Sequence, residues 1–231
     1  MTNPRSYIMM CLRRTRLDWG DSRKELHMKK RIETRTITGL AILTAVVVVL
    51  QLLGSFIRFG TFSISLVLIP IVVGAAMYGW GAGAWLGFVF SFIVLLTDSA
   101  AFMVINPLGT VLTVLLKGTL AGAAAGLVYQ LLGRKSIYLI IEKKGTEKWR
   151  TDLGVAVAAI VCPVVNTGLF LLGCWIFFLP TISEWAAAAG FASAGSFMIL
   201  ALVGGNFLFE VLFNIILSPL IVRLVELGKK G

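Results

Sequence analysis

The chain has 231 residues, of which 58% are hydrophobic and 14% charged, and its mean hydropathy is +0.92. A soluble domain of this length carries nearer a quarter charged residues, so these totals exclude a water-soluble globular protein and describe an integral membrane protein whose membrane part reads as one domain. A net charge of +10 would suggest nucleic acid in a soluble chain; here the basic residues lie between apolar runs, where they set orientation in a lipid bilayer and imply no nucleic-acid partner.

Residues 1–27 are polar, hold Arg13, Arg14, Arg16, Arg23 and Lys24, and show no apolar periodicity. They read as a disordered basic extension or an upstream mis-start. Met28-Lys29-Lys30-Arg31 looks like a natural beginning, so residues 28–231 form the transmembrane domain. A basic stretch followed by apolar residues mimics a secretory signal. The run from Ile37 to Ile57 is too long for one, however, and lacks a small-x-small cleavage site, so it reads as a retained first helix.

The expected fold is an all-α bundle of six transmembrane helices, each span needing roughly 20 apolar residues. The first runs from Thr36 to Phe56. The second, Phe62 to Tyr78, and the third, Gly81 to Leu96, are short and must form a tight hairpin through Tyr78-Gly79-Trp80-Gly81. A five-span alternative merges these two into a re-entrant element. The fourth runs from Leu108 to Leu132, the fifth from Leu153 to Phe178 and the sixth from Ser196 to Leu220. Of 21 Lys and Arg, ten lie at or before Arg35, six between Arg134 and Arg150 and three at or after Arg223. Six spans put all three groups on one side, which the positive-inside rule makes cytoplasmic, with both termini inside.

Gly79, Gly83 and Gly87, and again Gly118, Gly122 and Gly126, are spaced for close helix contact, either within this chain or with another membrane protein. Ala41 and Ala45 on the first span are the better candidates for an external partner interface. The outer loops Thr97 to Pro107 and Leu179 to Gly195 look like lids, the second with a short interfacial helix. Trp185 reads as a lid residue or an interface anchor, and Phe170 and Trp175 as stacking platforms or ordinary span residues.

Chemistry is sparse. The single histidine, His27, lies outside the spans, so no Ser-His or Cys-His pair is available in the membrane. Cys162 and Cys174 are twelve residues apart, about 18 Å along a continuous helix, which rules out a disulfide between them. Cys11 is in the basic arm, no CxxC or other metal-ligand cluster occurs, and neither a cofactor nor a metal is implied. No phosphate loop occurs, and Glu210 has no carboxylate neighbour in a span. The chain therefore reads as a non-enzyme, with no catalytic residues.

Glu210 stands in a long apolar stretch with Asn206 and Asn214 four residues to either side, so the three share one helix face. An ionisable group at that depth is costly unless it faces a partner or a polar cavity. Lys117 on the fourth span, and Asn166 and Thr167 on the fifth, just after Cys162-Pro163, are the other polar groups at membrane depth. Lys117 and Glu210 either pair structurally or line a solute site opening outward. Arg58 and Asn106, in the outer loops, complete the expected substrate-binding set of Lys117, Asn166, Asn206, Glu210, Asn214, Arg58 and Asn106.

The stretch Phe62-Ser-Ile-Ser-Leu-Val-Leu-Ile-Pro70-Ile-Val-Val-Gly74-Ala-Ala-Met-Tyr78-Gly79, followed by Trp80-Gly-Ala-Gly83-Ala-Trp-Leu-Gly87, resembles the second and third spans of the substrate-binding S components of energy-coupling factor (ECF) vitamin transporters, the group with riboflavin, folate and pantothenate binders. Trp80 departs from the proline that many relatives carry there. The resemblance covers about Lys29 to Lys230. It implies a six-helix binder of a vitamin-like micronutrient in a bacterial cell membrane. It also implies an ECF transmembrane coupling subunit, met by an alanine motif at Ala41 and Ala45, and two cytoplasmic ATPases as partners. The implied site lies near the outer face, between the first loop and spans four to six. The alternative is a stand-alone membrane facilitator or a membrane-embedded enzyme subunit.

Overall fold

The computed structural model describes Thr34 and residues 36–55, 58–59, 62–63, 67–132 and 147–230. The expected basic extension, residues 1–27, and most of the basic loop from Gly133 to Arg150 lie outside the described residues. By contacts the chain divides into Met1–Ala41 and Ile42–Gly231. Where the first unit is described it is helical, with the Thr38 hydroxyl donating to the Thr34 carbonyl at 3.0 Å.

Helix α1, Thr36–Ser55, is apolar along its length. Ile42, Val46, Val49, Leu52 and Leu53 are exposed, while Val47 and Gln51 are buried. A short antiparallel ladder follows, β1 (Arg58–Phe59) with β2 (Phe62–Ser63), in the register Arg58 to Ser63 and Phe59 to Phe62. It corrects the expected start of the second span at Phe62. Helix α2 begins only at Leu68 and ends at Tyr78, because Phe62-Ser-Ile-Ser alternates with the two-residue period of a strand. At 11 residues α2 is about 16 Å long, and Leu68 and Pro70 to Ala76 are all buried. A helix hydrophobic all round belongs inside a bundle.

Gly79 makes the turn into α3, Trp80–Thr97, with φ of 98° and its N–H on the Ala75 carbonyl at 3.0 Å. That left-handed conformation suits glycine and little else. The remaining glycines of the two triplets then meet inside this chain. A Cβ on Gly83 would collide with the Gly122 carbonyl, one on Gly87 with that of Gly118, and one on Gly126 with the Trp80 backbone. Helix α5, Pro107–Gln130, therefore lies antiparallel against α3 with backbones in contact.

Between them sits a six-residue helix, α4, Ala100–Ile105, where a loop is expected from the sequence. The end of α3 is fastened to α1: Asp98 Oδ2 accepts from Gln51 Nε2 at 3.0 Å, with the Ser55 and Thr97 hydroxyls each 3.0 Å away. This hydrogen-bonded clasp, and not a free lid, is where Asp98 is found.

Helix α6, Glu147–Phe177, starts six residues before the expected span and contains Pro163. It packs on α5 in register: a Cβ on Gly109 would meet Phe177, and one on Gly173 would meet Thr113. Helix α7, Leu179–Ala188, is the expected short helix of the last outer loop. Then come α8, Ala194–Phe197, a π-helical segment, Met198–Gly204, and α9, Gly205–Lys230. Helix α9 runs through Pro219 and past the expected end at Leu220. Among the described residues, five helical stretches have the length and composition to cross a membrane: Thr36–Ser55, Trp80–Thr97, Pro107–Gln130, Leu153–Phe177 and Ala194–Val225. Among the described residues the regular structure is helical apart from the two-residue ladder.

Candidate functional site

The α9 stripe is a hydrogen-bonded unit. Asn206 Nδ2 donates to Glu210 Oε1 at 3.2 Å, and Asn214 Nδ2 donates to the Glu210 main-chain carbonyl at 2.9 Å. Glu210 is 4% exposed and Asn214 1%. Glu210 Oε2 and Asn214 Oδ1 are buried with no hydrogen-bond partner. Four-residue spacing accounts for the internal bonds; it leaves one carboxylate oxygen and one amide oxygen as acceptors. The π-helical segment immediately before the stripe was not expected from the sequence. Such segments are frequent at functional sites, and here it sets the rotation at which α9 begins.

Helix α6 contributes a facing row. Cys162, Asn166, Phe170 and Cys174 recur every four residues and so share a side of the helix. Asn166 is 6% exposed, and its Oδ1 has no partner. Glu210 lies within electrostatic range of the Cys162 thiol and Lys117 of the Cys174 thiol, and Lys117 and Glu210 are within range of each other.

Lys117, from α5, is brought to this row by the glycine-set register of α5 on α6. Its ammonium lies 4.8 Å from the centroid of the Phe170 ring, a cation–π contact. Glu210 and Asp98 both attract it electrostatically. It makes no hydrogen bond to Glu210 Oε2, which has no partner. The direct Lys117–Glu210 pair that the sequence left open is therefore not formed: the cation rests on an aromatic face and the carboxylate on Asn206.

Two members of the expected set lie elsewhere. Asn106 caps α5, its Oδ1 accepting the Gly109 N–H at 2.9 Å. Arg58 is on β1, and its side chain lies outside the described residues. Ala41 and Ala45 are exposed on α1. Thr167 is half-buried beside Asn166.

Over one end of the row lies an aromatic cluster that the sequence did not reveal. Phe102 of α4 makes edge contacts with Phe170, Phe178 and Trp185 at centroid distances of 5.9, 5.0 and 5.8 Å. Cys174, Phe178, Ile182 and Met198 form the buried base beneath it. Trp185 is thus part of an internal cluster, whereas Trp175 is 58% exposed and points away. The available signal for Phe102 was Ala100-Ala-Phe-Met-Val-Ile105, an apolar run too short to span and bounded by Ser99 and Pro107.

A helical bundle with buried acceptors and one cation, and no group of three or more potential metal ligands among the described residues, is suited to holding a small polar solute. The family model for the ECF transporter, substrate-specific component, matches residues 35–222. The chain belongs to this family. It is a multi-pass membrane protein with transporter components, not enzymes, as relatives. It is 28% identical over 204 residues to the pantothenic acid transporter PanT of Lactococcus lactis subsp. cremoris, a match covering 84% of this chain and 94% of that one. Among solved structures, ThiT from Listeria monocytogenes has the same fold, with a TM-score of 0.59 at 21% identity over 87% of this chain and 97% of that one. This ECF component thus shares its membrane architecture with ThiT and most of its length with PanT.

Proposed function

We propose that this ECF component is the solute-capturing subunit of a vitamin importer in a bacterial cytoplasmic membrane. It works with a transmembrane coupling subunit and two cytoplasmic ATPases. The solute is pantothenic acid or a close analogue, the compound in the name of the Lactococcus relative. The observation that carries this reading is the buried Glu210, whose Oε2 has no partner although Asn206 and Asn214 stand one turn to either side. A carboxylate left so is stabilised by a donor that arrives with a ligand. Lys117, Asn166, Asn206, Glu210 and Asn214 would bind the solute, with Arg58 in the first loop and Asn106 at the start of α5 closing over it.

The topology that goes with this reading has six crossings, α2 being the sixth and shortest, and both termini in the cytoplasm. Ala41 and Ala45 meet the coupling subunit; both are exposed and small, as close helix approach requires. The test is calorimetry on the purified chain with pantothenate, together with mass spectrometry of any co-purifying solute. Asn206→Ala, Glu210→Gln and Lys117→Met should each weaken binding about 5- to 150-fold. Unchanged affinity in all three folded variants would remove the stripe from the site.

A further inference from the structure

Phe170 offers the site no hydrogen bond, yet its ring is where the cation rests. Lys117 is half-buried on α5. Glu210 Oε2, Asn166 Oδ1 and Asn214 Oδ1 are buried acceptors without a partner, so Lys117 donates to none of them. An ammonium carries three donors, and buried polar groups ordinarily find such partners. This one lies instead over the Phe170 ring, 4.8 Å from its centroid.

That ring is braced. Phe102 of α4 meets it at 86° and 5.9 Å. Phe102 is held in turn by edge contacts to Phe178 and to Trp185 of α7, at 5.0 and 5.8 Å. Phe102, Phe170 and Trp185 all pack against the buried Cys174, Phe178, Ile182 and Met198. The ring under the cation is thus supported from α4, α6 and α7 together.

A ring contact differs from an ion pair in what it leaves available. The aromatic face attracts the charge through its quadrupole but presents no lone pair, so the ammonium keeps its donors for an arriving acceptor. A pair with Glu210 would use up cation and carboxylate before any solute came. We infer that Phe170 is a positioning residue of the site: its ring holds the Lys117 ammonium off Glu210, so that both charged groups are presented to the solute. This rests on the site of the proposed function and adds a residue that acts through Lys117 without touching the solute.

The test is calorimetry with pantothenate on the full purified chain. Phe170→Leu should weaken binding roughly 2- to 30-fold, and Phe170→Tyr, which keeps the aromatic face, should restore it. Phenylalanine carrying one, two and then three fluorines at position 170 keeps the ring's shape while depleting its face, so affinity should fall stepwise. In a Lys117→Met background neither Phe170→Leu nor the fluorinated rings should weaken binding further, because the group they act through is gone. Equal losses in both backgrounds, or a flat fluorine series, would assign the ring to packing or to stacking on the solute, and overturn this role while the site stands. Should Phe170→Leu not fold, the fluorine series in the two backgrounds decides alone. If Lys117→Met binds pantothenate as the wild type does, the cation is not part of the site; if the wild-type chain does not bind pantothenate, the proposed solute is wrong. Either result overturns the role of Phe170 as well.

Discussion

Gly122→Ala tests the packing that holds the bundle together. A Cβ there would lie 2.6 Å from the Gly83 carbonyl carbon and collide with its oxygen, where ordinary contact begins at 3.4 Å. The helices must then separate by more than the 0.8 Å that the carbon alone demands, because both obstructing atoms are backbone and cannot rotate away. A gap of that size forfeits about a quarter to a half of the dispersion energy along the seam, and overpacking generally costs about 1–3 kcal/mol. Alanine returns at most about 1 kcal/mol of helix propensity. The net loss is about 1–2 kcal/mol, or about 2–8 °C in Tm for a chain of this size. Gly168→Ala is the control: a Cβ there meets nothing within 4 Å, so only the propensity gain remains and Tm should rise by about 2–4 °C. Thermal unfolding in detergent, followed by size-exclusion chromatography, reads both. Equal melting of Gly122→Ala and wild type would refute the α3–α5 seam as described.

Asp98→Ala removes the acceptor that joins Gln51 to the end of α3 and should cost about 2–3 kcal/mol in the same assay, with Asp98→Asn costing less; no loss would mean the clasp contributes nothing. A cysteine in place of Lys144 should resist an impermeant thiol reagent applied to intact cells if the basic segments are cytoplasmic, as proposed, and labelling from outside would reverse the topology. Ala41→Trp with Ala45→Trp should abolish uptake and co-purification of the coupling subunit while pantothenate binding persists; normal uptake at normal expression would place the interface elsewhere.

The sequence was most legible where a local signal ends a helix. Gly79 marks the α2–α3 turn, and Asn106-Pro107 marks the start of α5 as a side-chain cap followed by proline. It was least legible where apolar content is continuous. From Phe62 to Tyr78 hydropathy does not separate a ladder from a helix, and the alternation in Phe-Ser-Ile-Ser was the overlooked signal. Helix α9 passes the expected end at Leu220 with Pro219 inside it; a proline removes one main-chain donor, which does not by itself stop a packed helix. The bonds within Asn206, Glu210 and Asn214 follow from spacing alone. The meeting of Lys117 with Phe170 depends on how α5 slides along α6, a register set by Gly109 against Phe177 and Gly173 against Thr113, far apart in sequence.

Helix α1 is the least embedded of the five long apolar helices, with 11% of its apolar window buried against 22–39% for the others. Its side chains are mostly exposed or half-buried, with only Val47 and Gln51 buried, and a polar attachment is the clasp at one end. Exchanging lipid for a protein neighbour along this helix thus replaces one apolar environment with another and disturbs few internal contacts. The side chains hydrogen-bonded to Glu210, Asn206 and Asn214, belong to α9 itself. A neighbour could come and go along α1 without disturbing the hydrogen bonds around that carboxylate, so the proposed docking and the proposed solute binding would be separable.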